Sequence, residues 1–184
     1  DWNFRILNKF LPNNKVVNIP QQHCNFERLK HIRSEIVTVG IIGAPNAFTY
    51  LPQGLKDTLA QRGMKLIEFS NFTTRQDVVN FYMGIDVQIV WRPYYDYSKD
   101  ILVNPLKIVN ASSFGIPTIA YSEPVFEEMS GCYIPVNTLP EFLTNLDNLK
   151  SHPNLYDEYS KRCLEKAEEY HIEKIAKLYK NLSI

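Results

Sequence analysis

Ile36-Val-Thr-Val-Gly-Ile-Ile-Gly43 is an almost continuous apolar run that ends on glycine. A strand with one wet face alternates apolar and polar residues, and this run does not. It predicts a strand buried on both faces, as in a parallel sheet covered by helices. The glycine at its carboxyl end lets a following segment or a ligand approach the backbone closely.

Downstream of this run, strands and helices alternate. Pro52 to Arg62 reads as a helix, with proline near its start and Gly63 after its end. Lys65-Leu-Ile-Glu-Phe69 reads as a second strand. Thr74 is placed to cap a helix through Tyr82, with Asp77 three residues on as a capping box. Asp86 to Trp91 reads as a third strand, and Pro105 to Gly115 as a helix. Pro117 to Tyr121 reads as a fourth strand, Pro124 to Met129 as a short helix and Cys132-Tyr-Ile134 as a fifth strand. Thr138 caps a helix to about Leu149. This order predicts an α/β, Rossmann-like parallel sheet of about five to six strands with flanking helices and right-handed crossovers.

The flanks are less regular. Upstream, Trp2, Phe4, Ile6, Leu7, Phe10 and Leu11 read as a short helix broken by Pro12-Asn13-Asn14, and Lys15 to Ile19 reads as a short strand ended by Pro20. A polar connector follows. Downstream, residues 154–182 read as one long C-terminal helix, with Leu164, Ala167, His171, Ile175, Leu178 and Leu182 on one stripe. Unbroken, it would reach roughly 40 Å. Three segments result: a remnant of a preceding domain with a linker (1–34), a Rossmann-like domain (35–150) and a C-terminal helix packing on it (151–184).

The 184 residues carry 20 basic and 20 acidic side chains. The neutral total argues against a nucleic-acid partner, which calls for a basic surface. It also conceals a division. Residues 1–34 hold six basic and two acidic groups, residues 35–150 eight and twelve, and residues 151–184 six of each. The sheet-forming segment is therefore acidic, so any anion it binds must be held by local donors. Cys24, Cys132 and Cys163 are three cysteines without Cys-x-x-Cys spacing, which fits a reducing, cytoplasmic compartment and no disulfide framework. No His, Cys or carboxylate group has ligand spacing, so no metal is expected.

Ligands of open parallel sheets sit beyond the carboxyl ends of the strands. Three loops there hold candidate residues. Gly43 and Asn46 lie in the first, which is either an anion-binding strand–helix loop or simply a tight turn. The second, residues 92–104, offers Arg92 and Lys99 to anions and Tyr94, Tyr95 and Tyr97 to stacking; its alternative is a surface loop whose tyrosines pack down. In the third, Lys107 falls in the first turn of its helix. The helix dipole disfavours a cation there, and a bound phosphate would make that placement sensible. Asn110 lies one turn on, with an amide suited to ribose hydroxyls. The alternative is an exposed lysine on a polar helix face.

Pro105-Leu-Lys107-Ile-Val-Asn110-Ala111-Ser-Ser-Phe-Gly115-Ile-Pro117-Thr-Ile-Ala120 resembles the donor-binding helix of GT-B glycosyltransferases, which typically reads P-x-K-x-x-E-A-x-A-x-G-x-P-V-I-A. Val39-Gly-Ile-Ile-Gly43 is similar to the strand and glycine loop that open the C-terminal domain there. Gly84-Ile-Asp86-Val-Gln-Ile-Val90 resembles the strand before the donor loop, and Val16-Val-Asn-Ile-Pro20 the interdomain connector. Glu127 or Glu128 falls near an acidic residue of the helix that follows. The resemblance covers about residues 15–150. The family's E-x7-E pair falls on Leu102 and Asn110, so its first acid is absent and its second is an amide.

This resemblance implies one half of a GT-B fold and transfer of a sugar from a nucleotide-diphosphate donor to an acceptor. The acceptor, a saccharide, lipid-linked sugar or protein, would be held largely by an N-terminal domain upstream in the same chain. Donor-binding positions would be Gly43, Asn46, Arg92, Lys107, Asn110 and Ser112, with no cofactor or metal. The expected location is cytoplasmic, with a peripheral position on the inner membrane face as a variant. Two other readings stand beside it: a non-catalytic nucleotide-sugar-binding or scaffold module of the same fold, and a sugar-nucleotide epimerase-like enzyme.

Overall fold

A computed structural model describes residues 2–11, 16–33, 35–93 and 104–182. Five parallel strands form one sheet in the order β2-β1-β3-β4-β5. They are β1 (Thr38–Ile42), β2 (Lys65–Phe69), β3 (Val87–Val90), β4 (Thr118–Tyr121) and β5 (Ile134–Val136). The helices are α1 (Trp2–Phe10), α2 (Leu55–Gln61), α3 (Arg75–Met83), α4 (Leu106–Ser113), α5 (Leu139–Ser151), α6 (Pro153–Ala167) and α7 (Ile172–Lys180).

The opening apolar run forms β1, and its side chains are divided between two buried layers. Val39 and Ile41 join Val87, Ile89, Leu55, Leu59, Phe142 and Leu146 on one face. Ile42 joins Phe81, Tyr82, Ile85 and Phe114 on the other. Burial on both faces is why the run shows no polar alternation. Asp86 fastens the amino ends of β1 and β3. Its carboxylate accepts the Val37 and Thr38 backbone N–H groups at 2.9 and 2.8 Å and the Thr38 hydroxyl at 2.7 Å. The Arg33 guanidinium lies 3.3 Å from the same carboxylate.

Several local expectations hold in detail. Thr74 and Asp77 form a reciprocal capping box on α3. The Thr138 hydroxyl accepts the Glu141 N–H at the start of α5. Others need correction. Residues 16–20 form no strand, because no neighbouring strand pairs with them; Lys15 lies outside the described residues. The stretch from Pro52 folds into α2 only from Leu55, after Gly54 in a left-handed conformation. A 3-10 turn, Pro45–Tyr50, fills the space between β1 and that helix. The fifth strand begins two residues later than expected, at Ile134.

The C-terminal stretch is not one rod. The 15-residue α6 is its long part, and a 3-10 turn at Glu168–Tyr170 then redirects the chain into α7. The break has a physical cause. His171 adopts an extended backbone, and its Nδ1 accepts the Glu173 N–H that opens α7. Its Nε2 donates to the Phe26 carbonyl at 3.0 Å. The Tyr170 carbonyl accepts the His23 N–H at 3.1 Å. The connector is thus clamped where the helix breaks. Arg28 completes the clamp with hydrogen bonds to Glu168 and Glu173.

Candidate functional site

The chain enters the sheet at β1, adds β2 on one side, then returns to place β3 on the other. The β1/β3 boundary is therefore the point where strand order reverses, the place where open α/β sheets bind ligands. Gly43 ends β1 there, with its N–H donating to the Phe69 carbonyl at 3.1 Å. Arg92 follows β3, and α4 begins above the same edge.

Lys107 reaches from the first turn of α4 to Gly43. A Cβ placed on Gly43 would meet the Lys107 Nζ at 3.0 Å and the Ala47 Cβ at 3.2 Å. Glycine is thus what lets the ammonium lie against the β1 loop. The backbone of Lys107 is held from below. The Gln88 amide donates to its carbonyl at 3.0 Å and the Tyr82 hydroxyl at 3.3 Å. Gln88 is itself fixed by Thr118 and Tyr82, so β3, β4 and α3 together position this helical turn.

Arg92 is paired. Its Nε and Nη2 donate to the two Glu123 oxygens at 3.0 and 2.6 Å, a bidentate pair with Glu123 almost wholly buried. Arg92 and Lys107 lie close enough to repel. That repulsion and, more strongly, burial push the Lys107 ammonium down to about 8, while Glu123 pulls the other way. No carboxylate lies within ion-pair distance of Lys107 among the described residues. Among the described residues, two cations stand against one carboxylate at this partly desolvated sheet edge. Such a site favours an anion.

The sequence candidates divide between this edge and the interior. Gly43, Arg92 and Lys107 come together. Asn46 sits exposed in the 3-10 turn of the same loop. Asn110 faces inward, and its Oδ1 accepts the Cys24 N–H at 2.8 Å. Its amide oxygen is thereby committed to fastening the connector onto α4. Ser112 is fully buried beside the Cys163 thiol on the α6 side, away from the sheet edge. Helical spacing gave the face of these two residues, and packing by the connector and α6 decides what covers it. Tyr94, Tyr95, Tyr97, Lys99 and Leu102 lie outside the described residues. Sequence reasoning missed Glu123. Its place just after β4, at the ligand-facing end of the sheet, was the available signal. Among the described residues no group of histidine, cysteine or acidic side chains could hold a metal ion.

No protein-family model matches the chain, and no curated protein matches it. Solved structures do. The chain is similar to the GtfA/B complex with a TM-score of 0.62 and 14% identity, covering 96% of this chain and 42% of that one. It is similar to TarM with a TM-score of 0.50 and 15% identity, over 91% of this chain and 38% of that one. A third match is the C-terminal domain of the glycosyl transferase group 1 family protein LpcC from Francisella tularensis. There the TM-score is 0.50 at 13% identity, over 85% of this chain and 95% of that domain. The fold is that of the C-terminal half of a GT-B glycosyltransferase. The chain spans about two-fifths of the length of the first two proteins.

Proposed function

We propose that the chain is the donor half of a glycosyltransferase, binding a nucleotide-diphosphate sugar whose sugar passes to an acceptor. The observation that carries this reading is Lys107, an ammonium without a carboxylate partner among the described residues, laid against Gly43 at the strand-order switch of a GT-B-like fold. A diphosphate at that edge would meet the Lys107 ammonium, the positive charge of the nearby Arg92 and the first-turn N–H groups of α4. As the sugar leaves, charge grows on the diphosphate, and the same groups would stabilise it more than they stabilise the bound donor. Gly43 and Asn46 line the entry loop. No metal or other cofactor has a role in this scheme. Residues 1–34 serve as linker and remnant of an acceptor-binding domain, 35–150 as the donor domain and 151–184 as its brace. The compartment is cytoplasmic in this reading; among the described residues, no helix is long and apolar enough to cross a membrane.

The test compares a nucleoside diphosphate with its nucleoside by calorimetry. Lys107→Ala removes a charged hydrogen-bond donor worth about 1.5–3 kcal/mol, so it should weaken the diphosphate roughly 10- to 100-fold and leave the nucleoside unchanged. Equal affinity of both proteins for the diphosphate would overturn the assignment. A second reading, a binding module of the same fold without catalysis, is favoured by one observation: the amide oxygen of Asn110 holds the connector.

A further inference from the structure

Cys132 and Cys163 stand 31 residues apart in sequence and meet in one buried layer with Ile108, Val109 and Met129. Cys132 lies between the 3-10 turn Pro124–Met129 and β5, the strand at one edge of the sheet. Cys163 lies within α6. The Cys163 thiol donates to the Cys132 carbonyl at 3.1 Å, and the Cys132 thiol donates to the Arg162 carbonyl at 3.7 Å. Each sulfur thus rests on the backbone segment that carries the other. The two thiols are also within hydrogen-bonding reach of one another, and both are free.

The two sulfurs are unequal. Cys132 keeps 6% of its surface exposed, and Cys163 keeps none. The hydrogen bond from Cys163, with Lys166 and Arg162 nearby, draws the Cys132 thiol below the usual thiol range, against its burial and Glu169. The same hydrogen bond and burial push the Cys163 thiol up. One partner is therefore a ready thiolate at the rim of the core, and the other is a protonated thiol held against it. Cys24 stands apart on the connector, where burial pushes its thiol up to about 12. We infer that Cys132 and Cys163 form a reversible redox pair, oxidised by hydrogen peroxide to a disulfide that ties the edge strand β5 to α6. The Cys132 thiolate attacks a peroxide oxygen; the S–O bond forms as the O–O bond breaks. The departing hydroxide takes up the proton that Cys132 had shed. The Cys163 sulfur then attacks the sulfenic acid on Cys132; the S–S bond forms, and hydroxide leaves with the Cys163 proton as a second water. The two thiols lose two electrons, and the peroxide gains them. A transient bond of this kind is compatible with a reducing compartment, where a permanent framework is not.

Titration of the folded chain with hydrogen peroxide tests it, with remaining thiols then alkylated and the peptides mapped by mass under non-reducing conditions. Cys132 and Cys163 should lose their thiols together and yield one cross-linked peptide, about tenfold faster than Cys24 reacts. Dithiothreitol should restore both thiols. Cys163→Ala removes the resolving thiol, so Cys132 should stop at the sulfenic acid and be labelled by dimedone. Cys132→Ala should leave Cys163 unreacted at the same peroxide concentration. The wild-type measurement decides the matter even where a core variant fails to fold. Persistence of both thiols in the folded chain at millimolar peroxide overturns the inference, as does a disulfide that includes Cys24 or joins two chains. None of these outcomes depends on what the sheet edge binds.

Discussion

Lys107 is the residue on which the functional reading turns, and its surroundings make its chemistry measurable. Burial and Arg92 hold its ammonium at about 8, so a fraction of the free protein loses this charge within an accessible range. A bound anion favours the protonated form. Diphosphate affinity should therefore fall as pH rises past about 8, and Lys107→Ala should abolish that slope. Calorimetry from pH 7 to pH 9.5 checks both. Gly43 depends on the same contact. A methyl group there would crowd Nζ at 3.0 Å and also meet Ala47, so the side chain must move. Gly43→Ala should weaken diphosphate binding about tenfold, near 1.4 kcal/mol, with little change in melting temperature. His23 offers a separate check on the connector. Burial, with His171 and Arg28 nearby, lowers it to about 4. Its folded value lies below its unfolded value near 6.5, so its stabilising effect is complete above 6.5 and is lost as pH falls toward 4. The loss should reach about 2–3 kcal/mol, and His23→Gln should flatten the pH dependence of the melting temperature between pH 7 and pH 4.5.

At the scale of elements, what the sequence shows depends on whether the controlling interaction is local. The capping box at Thr74 and Asp77 and the cap at Thr138 were readable because the partners are three residues apart. β1 was readable because two-sided burial leaves an apolar run. The break after α6 was not, because it depends on a connector more than 140 residues away, which holds His171 through Phe26 and Arg28. The burial of Asn110 and Ser112 was hidden for the same reason. Their periodicity was right, but the covering partners, Cys24 and Cys163, are remote in sequence. Lys107 remained legible because proline before it and glycine after it fix the helix on which it rides. Gly115 shows how tightly α4 meets α6. Its φ is +70°, and a Cβ there would stand 2.5 Å from the Ser160 hydroxyl oxygen and 3.3 Å from Leu164. Gly115→Ala combines backbone strain with overpacking and should cost roughly 1–3 kcal/mol in chemical denaturation. Thr74→Ala should cost about 1 kcal/mol through its lost cap.

For the whole molecule, the uneven charge acquires a structural meaning. The acidic sheet segment cannot draw in a diphosphate by bulk field, yet among the described residues its ligand edge brings Arg92 and Lys107 together beside the Glu123 carboxylate. The basic connector is spent on the opposite task. Its Arg28 reaches Glu168 and Glu173, and its Glu27 accepts from Arg75 of α3, so that it is held in place. The molecule thus presents a cationic sheet edge on a scaffold braced from behind by α6 and α7. The central claim is that this edge takes a nucleoside diphosphate. Calorimetric titration of the chain with UDP, GDP, dTDP and CDP at pH 7 tests it directly. At least one of them should bind saturably, and Lys107→Ala should weaken it roughly 10- to 100-fold. No binding of any of the four at millimolar concentration would contradict it.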